Sequence, residues 1–185
     1  CHSHRARDSP SGVALAHLLR ASFGGAARPA SAGLPIGHVL SSFGVGGQER
    51  VALALAIGQR ARGHTVRVIS LAPPPDGPIA DELRAHGIAA ARVTKRAGLD
   101  PTLVPRLAVA LARQRADVVH THNPLPLIYG APAAKLVRAA TVHTKHGKNP
   151  GSRGQVALRR AAAYFCDAFV AVSDTTLAQA RETRD

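Results

Sequence analysis

From residue 36 onward the apolar and polar positions alternate between two regimes. Short apolar runs bounded by Gly, Pro or polar clusters predict strands at Ile36–Leu40, Thr65–Leu71, Ile88–Val93, Asp117–Thr121, Ala140–Thr144 and Ala168–Val172. Between them lie Ala-, Leu- and Arg-rich segments whose apolar residues recur every three or four positions. These predict helices over Glu49–Arg62, Ile79–His86, Pro101–Arg115, Pro124–Arg138, Gln155–Tyr164 and Thr175–Thr183. Gly63 and Gly87 close the first two helices, as a residue free to take positive φ does. Pro132 is expected to kink or delay its helix, because proline lacks an N–H and crowds the carbonyl four residues back. Strand followed by helix, repeated along the chain, predicts a parallel sheet covered by helices on both faces. Right-handed crossovers make it a doubly wound, Rossmann-like α/β fold. Ligands then bind at the carboxyl ends of strands, so chemistry is expected just after Leu40, Leu71, Val93, Thr121, Thr144 and Val172.

Residues 1–34 have no sustained period and are rich in Ser, Gly, Pro, Ala and Arg. They predict a poorly ordered leader with a helical turn around Val13–Leu19, ahead of one domain over 35–185. His2 and His4 read as part of a solvated tail rather than as a metal pair.

Composition narrows the class. A chain of 185 residues with 45% hydrophobic and 19% charged residues fits one soluble globular domain and excludes a disordered or collagen-like chain. Aromatic residues are 3% and Trp is absent, so the core must be built from Ala, Val, Leu and Ile. The net charge of +13 favours anionic partners, namely phosphates, nucleic acid or acidic lipid, but it is spread over the whole chain. The chain contains no Met, which points to a fragment, a processed form or a misplaced start. Cys1 and Cys166 make neither a disulfide framework nor zinc spacing, so a reducing, cytoplasmic compartment fits. Cys166, inside AAAYFCDAFVAV, reads as a small buried hydrophobe. Val13–Leu19 is too short and interrupted for a signal peptide. Val118–Ala134 is uncharged but too broken by His, Asn and Pro to span a membrane.

Four clusters sit where the fold expects ligands. Gly44-Val45-Gly46-Gly47-Gln48-Glu49 joins the first strand to the first helix, where free helix N–H groups suit a phosphate or a sugar hydroxyl. It is not a dinucleotide fingerprint, since Glu49 stands where the third glycine is needed, and no Walker lysine follows. A tight turn without a ligand is the alternative, with Glu49 complementing the helix dipole. His120-Thr121-His122-Asn123 ends the fourth strand. Alternation puts His120 and His122 on one side, about 7 Å apart along the strand. With no carboxylate or Cys beside them they read as cleft lining, one of them filling the layer under a helix, and not as a metal site. His143-Thr144-Lys145-His146-Gly147-Lys148 ends the fifth strand and is the densest polar cluster, able to donate to hydroxyls or move protons near neutral pH, unless it is only a solvated basic loop. Ser173-Asp174 reads first as a helix cap. There is no G-x-S-x-G elbow and no carboxylate pair at these strand ends, so catalysis by this chain alone has little support.

Taken together, HVLSSFGVGGQERVALALA, RGHTVRVISL, DVVHTHN, ATVHTKHG and FVAVSD resemble, in order and spacing, the N-terminal domain of glycosyltransferase family 4 over about residues 36–183. The resemblance implies a retaining enzyme of GT-B fold, with two Rossmann-like domains and an active site between them. It implies that this half binds the acceptor, with Gly46 and Gly47 near the donor phosphates and acceptor. His143 would approach the transferred sugar, with His146 as the second choice, and His122 and Asn123 would line the acceptor side. Lys145 belongs to the same ligand-facing loop. The nucleotide-sugar donor is a substrate rather than a cofactor, and the family grips it through an E-x7-E motif that the 185 residues do not contain. The chain is therefore expected to be inactive alone. A sugar or lipid-linked acceptor and peripheral contact with anionic membrane fit a basic edge of Lys145, Lys148, Arg153, Arg159 and Arg160, which a solvated surface explains equally well. A basic Rossmann-like module for nucleic acid or another phosphate ligand is the alternative function. Scattered Arg without stacking aromatics gives no sequence-specific binding. A poorly folding remnant with an exposed interdomain face is the third reading.

Overall fold

The computed structural model of the chain describes residues 33–72 and 77–183. The expected leader, its turn at Val13–Leu19, and His2 and His4 lie outside the described residues.

The order is β1 (Pro35–Leu40), α1 (Gly47–Ala61), β2 (Thr65–Ser70), α2 (Pro78–Ala85), β3 (Ala89–Arg92), α3 (Leu103–Arg113), β4 (Val118–His122), α4 (Pro124–Leu136), β5 (Ala140–Lys145), α5 (Arg153–Ala163), β6 (Ala168–Ala171) and α6 (Asp174–Thr183). All strand pairs are parallel and the sheet order is β3-β2-β1-β4-β5-β6. The Rossmann-like α/β fold read from the alternating pattern is the one observed. The chain winds outward from β1 through β2 to β3, then returns to β4 on the other side of β1 and winds away through β5 and β6. The direction reverses between β1 and β4, and an open parallel sheet has its ligand crevice at such a reversal.

Alternation sorts the strand residues between two helical layers. Leu40 and Val68 face α1 and α2 and pack with Phe43, Ala52, Leu53, Ala56, Ile79 and Leu83. Val39, Ile69 and Val119 face the opposite layer, where Leu103, Leu107 and Leu111 of α3 meet Tyr129 and Ala133 of α4. Each fully buried Leu or Ile contributes about 1.5–3 kcal/mol of transfer free energy. The scarcity of aromatics is offset by close approach. In α4 a Cβ on Gly130 would lie 2.8 Å from Thr121 Cγ2, so the helix rests against β4 only because that side chain is absent.

Two boundaries differ from expectation. Pro132 sits inside α4 without delaying it, and Tyr129, Gly130, Ala131, Ala133 and Ala134 around it are all buried. Packing on several sides outweighs the one backbone hydrogen bond that proline forgoes. Helix α5 begins at Arg153, earlier than the spacing predicts, because Ser152 and Gln155 form a capping box. Ser152 Oγ accepts from the Gln155 N–H at 3.3 Å, and the Ser152 N–H donates to Gln155 Oε1 at 2.8 Å. Ser173 caps α6 as read from the sequence, its Oγ accepting the Thr176 N–H at 3.2 Å. Among the described residues no helix is long and apolar enough to cross a membrane.

Candidate active site

The reversal point brings three segments together: the turn after β1, the end of β4 and the loop after β5. In the first, buried Phe43 anchors a turn that leaves Val45 exposed. Gly46 is the N-cap of α1 and supplies no side-chain cap hydrogen bond, and the Glu49 carboxylate of the first turn lies against it. A Cβ at Gly47 would meet nothing within 4 Å, so packing does not demand glycine there. At Gly46 it would lie 2.5 Å from Glu49 Oε2. Glu49 is buried and its Oε1 accepts from Gln48 Nε2 at 2.5 Å.

Asn123 ties the segments together. Its backbone N–H donates to the Thr144 carbonyl at 3.1 Å, and its Oδ1 accepts from the His146 N–H at 3.2 Å. Its Nδ2 donates to Gln48 Oε1. These bonds hold Asn123 at φ 67, ψ 173, a region that is nearly glycine-only and costs on the order of 1–3 kcal/mol. Strain at the reversal point is therefore stabilised by one side chain that bridges β4, α1 and the β5 loop.

Behind this rim lies a column of imidazoles. His38 pairs with His120 in register across β1 and β4, and His122 follows on the same face. Their rings lean together instead of keeping the strand spacing expected from sequence: the centroids of His120 and His122 are 4.2 Å apart and stacked. His38 and His122 are joined Nδ1 to Nε2 at 2.9 Å, and His122 and His146 Nδ1 to Nε2 at 3.0 Å. Gln59 of α1 meets His38 Nε2 through Oε1 at 2.7 Å, and His120 Nε2 meets Thr144 Oγ1 at 2.7 Å. Burial lowers the His38 pKa from 6.5 to about 4. Burial, then the neighbouring His38, His143 and His146, lowers that of His120 to about 3. His122 is held well below 6.5 mainly by burial and then by His120, and His146 is lowered by burial while Glu49 opposes. Near neutral pH the column is a set of neutral donors and acceptors.

His38, His120 and His122 are also the described residues with metal-ligand spacing, their nitrogens within 4.8 Å of one another. Imidazole lone pairs lie in the ring plane, so the stacked His120 and His122 direct theirs side by side. His38 and His122 already use their facing nitrogens on each other.

The sequence-derived candidates divide sharply. Gly46, Gly47, His122, Asn123 and His146 come together. His143 does not: it pairs in register with Thr121, on the sheet face opposite His120 and His122. There it is 2% exposed, 2.9 Å from Thr121 Oγ1 through Nδ1 and edge-on to Phe169. Strand parity puts His143 on the face of Thr121, whereas His146 lies just beyond the end of β5. Lys145 is also buried at the end of β5 and does not stand out from the rim. The expected basic edge is smaller for the same reason. Lys145 and Arg159 are buried, leaving Lys148, Arg153 and Arg160 exposed. Cys166 packs partly buried against Leu127, Ala131 and Ala162. Burial, then the charge of Asp167, raises its thiol pKa to about 12, so it stays protonated. His38 and Gln59 were not singled out from the sequence. His38 sits two residues before the end of the first strand, on the face that meets α1, and only the pairing of β1 with β4 brings it beside His120 and His122.

No curated protein sequence matches it. Among solved structures, a glycosyltransferase from Rickettsia africae ESF-5 superposes with a TM-score of 0.67 at 22% identity, covering 81% of this chain and 39% of that one. Anabaena Alr3699/HepE in complex with UDP gives a TM-score of 0.67 at 21% identity, covering 80% and 40%. MurG of Acinetobacter baumannii gives 0.58 at 14% identity, covering 76% and 42%. At these identities the likeness is one of fold, and the chain spans about two-fifths of the length of these structures. The sequence itself matches the family model described as Glycosyltransferase Family 4 over residues 45–185, from the glycine turn through the last helix. With the parallel sheet, the reversal-point rim and this match in agreement, the chain belongs to glycosyltransferase family 4.

Proposed function

We propose that this chain is the acceptor-binding half of an enzyme that transfers a sugar from a nucleotide-sugar donor. The observation that carries the reading is the rim in which Asn123 hydrogen-bonds both Gln48, next to the Gly46–Gly47 turn, and the His146 backbone N–H. The α1 N-terminus, uncapped by any side chain at Gly46, suits a sugar hydroxyl or a phosphate that approaches clear of the Glu49 carboxylate, and Asn123 and His146 supply uncharged polar groups of the kind that recognise hydroxyls. The HepE structures hold UDP and UDP-glucose, which supports a nucleotide sugar as donor. His146, not His143, is the imidazole we assign to the sugar.

The donor grip belongs to a second domain, so the 185 residues alone are expected to give no turnover. Incubation with UDP- and GDP-sugars and with sugar or polyprenyl-phosphate acceptors checks this, and product above blank would contradict it. The acceptor we assign is a lipid-linked or polysaccharide precursor at the cytoplasmic membrane face. Supporting it, exposed Arg153 and Arg160 flank a groove of about 320 Å³ lined also by Gly151, Val156 and Ala157. Sedimentation should then be stronger with vesicles containing anionic lipid than with neutral ones, and equal sedimentation would remove the membrane from the proposal.

Gly47 gives a separate test of the rim. Alanine is up to about 1 kcal/mol better than glycine inside a helix, and a Cβ there meets nothing. Gly47→Ala should keep or raise the melting temperature while weakening binding of a phosphate- or hydroxyl-bearing ligand roughly tenfold, about 1.4 kcal/mol. Calorimetric titration checks it. Unchanged affinity would mean that the turn has only a structural role.

A further inference from the structure

We propose that Gln59, His38 and His122 are positioning residues for His146, forming a hydrogen-bonded file from α1 through the buried layer to the rim that decides which ring nitrogen of His146 carries its proton. The proposal rests on the reading of His146 as the sugar-facing imidazole. Three contacts make the file: Gln59 Oε1 with His38 Nε2 at 2.7 Å, His38 Nδ1 with His122 Nε2 at 2.9 Å, and His122 Nδ1 with His146 Nε2 at 3.0 Å. His38 and His122 use both nitrogens, so neither can change its donor without changing its neighbour.

Counting protons fixes the direction. A neutral imidazole has one N–H and one bare nitrogen. The Gln59 carbonyl oxygen can only accept, so His38 carries its proton on Nε2 and offers Nδ1 as an acceptor. His122 must then donate from Nε2 and accept at Nδ1, and His146 must donate from Nε2. The file leaves His146 Nδ1 with its lone pair, and among the described residues that atom has no hydrogen-bond partner. Nδ1 is then the acceptor that His146 has left, suited to a hydroxyl that donates. Because the file ends on an amide oxygen, which is too weakly basic to take a proton, it orders His146 without draining protons from it.

Burial favours the uncharged state this requires, while Glu49 opposes it at His146. His120 stacks on His122 at 4.2 Å and lies 5.0 Å from His38, with its own Nε2 occupied by Thr144. His143 lies on the other face of the sheet, and Glu49 of α1 acts on His146 alone among the column residues with a resolved effect. Burial keeps His38 and His122 neutral at pH 7.

Long-range proton–nitrogen correlation spectra of the histidine-labelled 185-residue chain near pH 7.5 read the tautomer of each ring. The expected result is an Nε2-protonated ring at His38, His122 and His146. Gln59→Glu keeps an acceptor at the end of the file and should keep that pattern. Gln59→Lys supplies only donors and should reverse all three rings to Nδ1–H. A residue with a purely structural role would not reverse the tautomer of His146, three links away. An Nδ1–H ring at His146 in the wild type, or the same His146 tautomer with Glu and with Lys at 59, would overturn the proposal. Should Gln59→Lys fail to fold, Gln59→Leu decides: His146 should then populate both tautomers, and an undisturbed Nε2–H ring would overturn it. These spectra need no donor or acceptor. Ordered tautomers in a chain that binds no sugar ligand would sink the functional reading and leave the file standing.

Discussion

Between pH 6.5 and pH 4 the folded chain should lose stability steeply, on the order of 3 kcal/mol from His38 alone. The folded His38 titrates at about 4 against an ordinary 6.5, because burial excludes the charged ring. Across that window the unfolded chain binds a proton that the folded chain refuses. Stability is therefore full above 6.5, falls as pH drops to about 4, and loses nothing more from this group below that. His120, at about 3, and His122 act in the same direction. Their contributions do not sum, because a proton on one ring repels the next. Asp100 works in a lower window. Hydrogen bonds from Thr102 and then the Arg96 N–H hold its pKa below 3.8, so its contribution is present above that value and lost as pH falls through the lower folded value. Urea unfolding at a series of pH values from 7.5 to 4 measures the slope, and His38→Gln should flatten it. A flat profile above pH 4.5, or the same slope in the variant, would show that the column is not held neutral by burial.

The second large effect lies on the opposite face of the sheet. Gly130→Ala puts a carbon 2.8 Å from Thr121 Cγ2, with Val39 carbons at 3.8 Å behind it. Helix α4 must then lift from β4, at a cost of about 1–3 kcal/mol typical of overpacking. Thr121→Ser removes the obstructing methyl but retains the hydroxyl that meets His143 Nδ1 at 2.9 Å. The double variant should therefore recover most of the loss, with a coupling of roughly 1 kcal/mol between the sites. Thermal and urea unfolding of the two single variants and the double variant give the cycle. Additive losses would mean that α4 relaxes elsewhere and that the contact with Thr121 does not set its height.

The strands and helices were legible because most strands are short apolar runs closed by Gly, Pro or a polar cluster, and the Ala- and Leu-rich segments between them are bounded by Gly or Pro, with a clear apolar face in α2, α3 and α5. The capping box at Ser152 and Gln155 was also present in the sequence, but its hydrophilic first turn hides the start of α5 from a reading based on apolar spacing. Pro132 misleads because local propensity does not report that α4 is buried on several sides. At the site, Gly46, Gly47, Asn123 and His146 were visible as polar strand-end clusters. His38 was not, because a lone histidine in an apolar strand has no local signal until β4 brings His120 and His122 beside it. Gln59 lies in mid-helix and acquires meaning only through His38. His143 was separable in principle by strand parity, which puts it on the face opposite His120 and His122, whereas His146 lies beyond the end of β5.

The assignment of the rim is tested most directly by amide chemical-shift mapping of the labelled chain titrated with UDP-glucose, a short oligosaccharide and a water-soluble polyprenyl-phosphate analogue. The account predicts that the ligands that bind shift Gly46, Gly47, Asn123 and His146, at the carboxyl ends of β1, β4 and β5, with little change along β3. Shifts centred elsewhere on the sheet, or no response to any of the three, would contradict it.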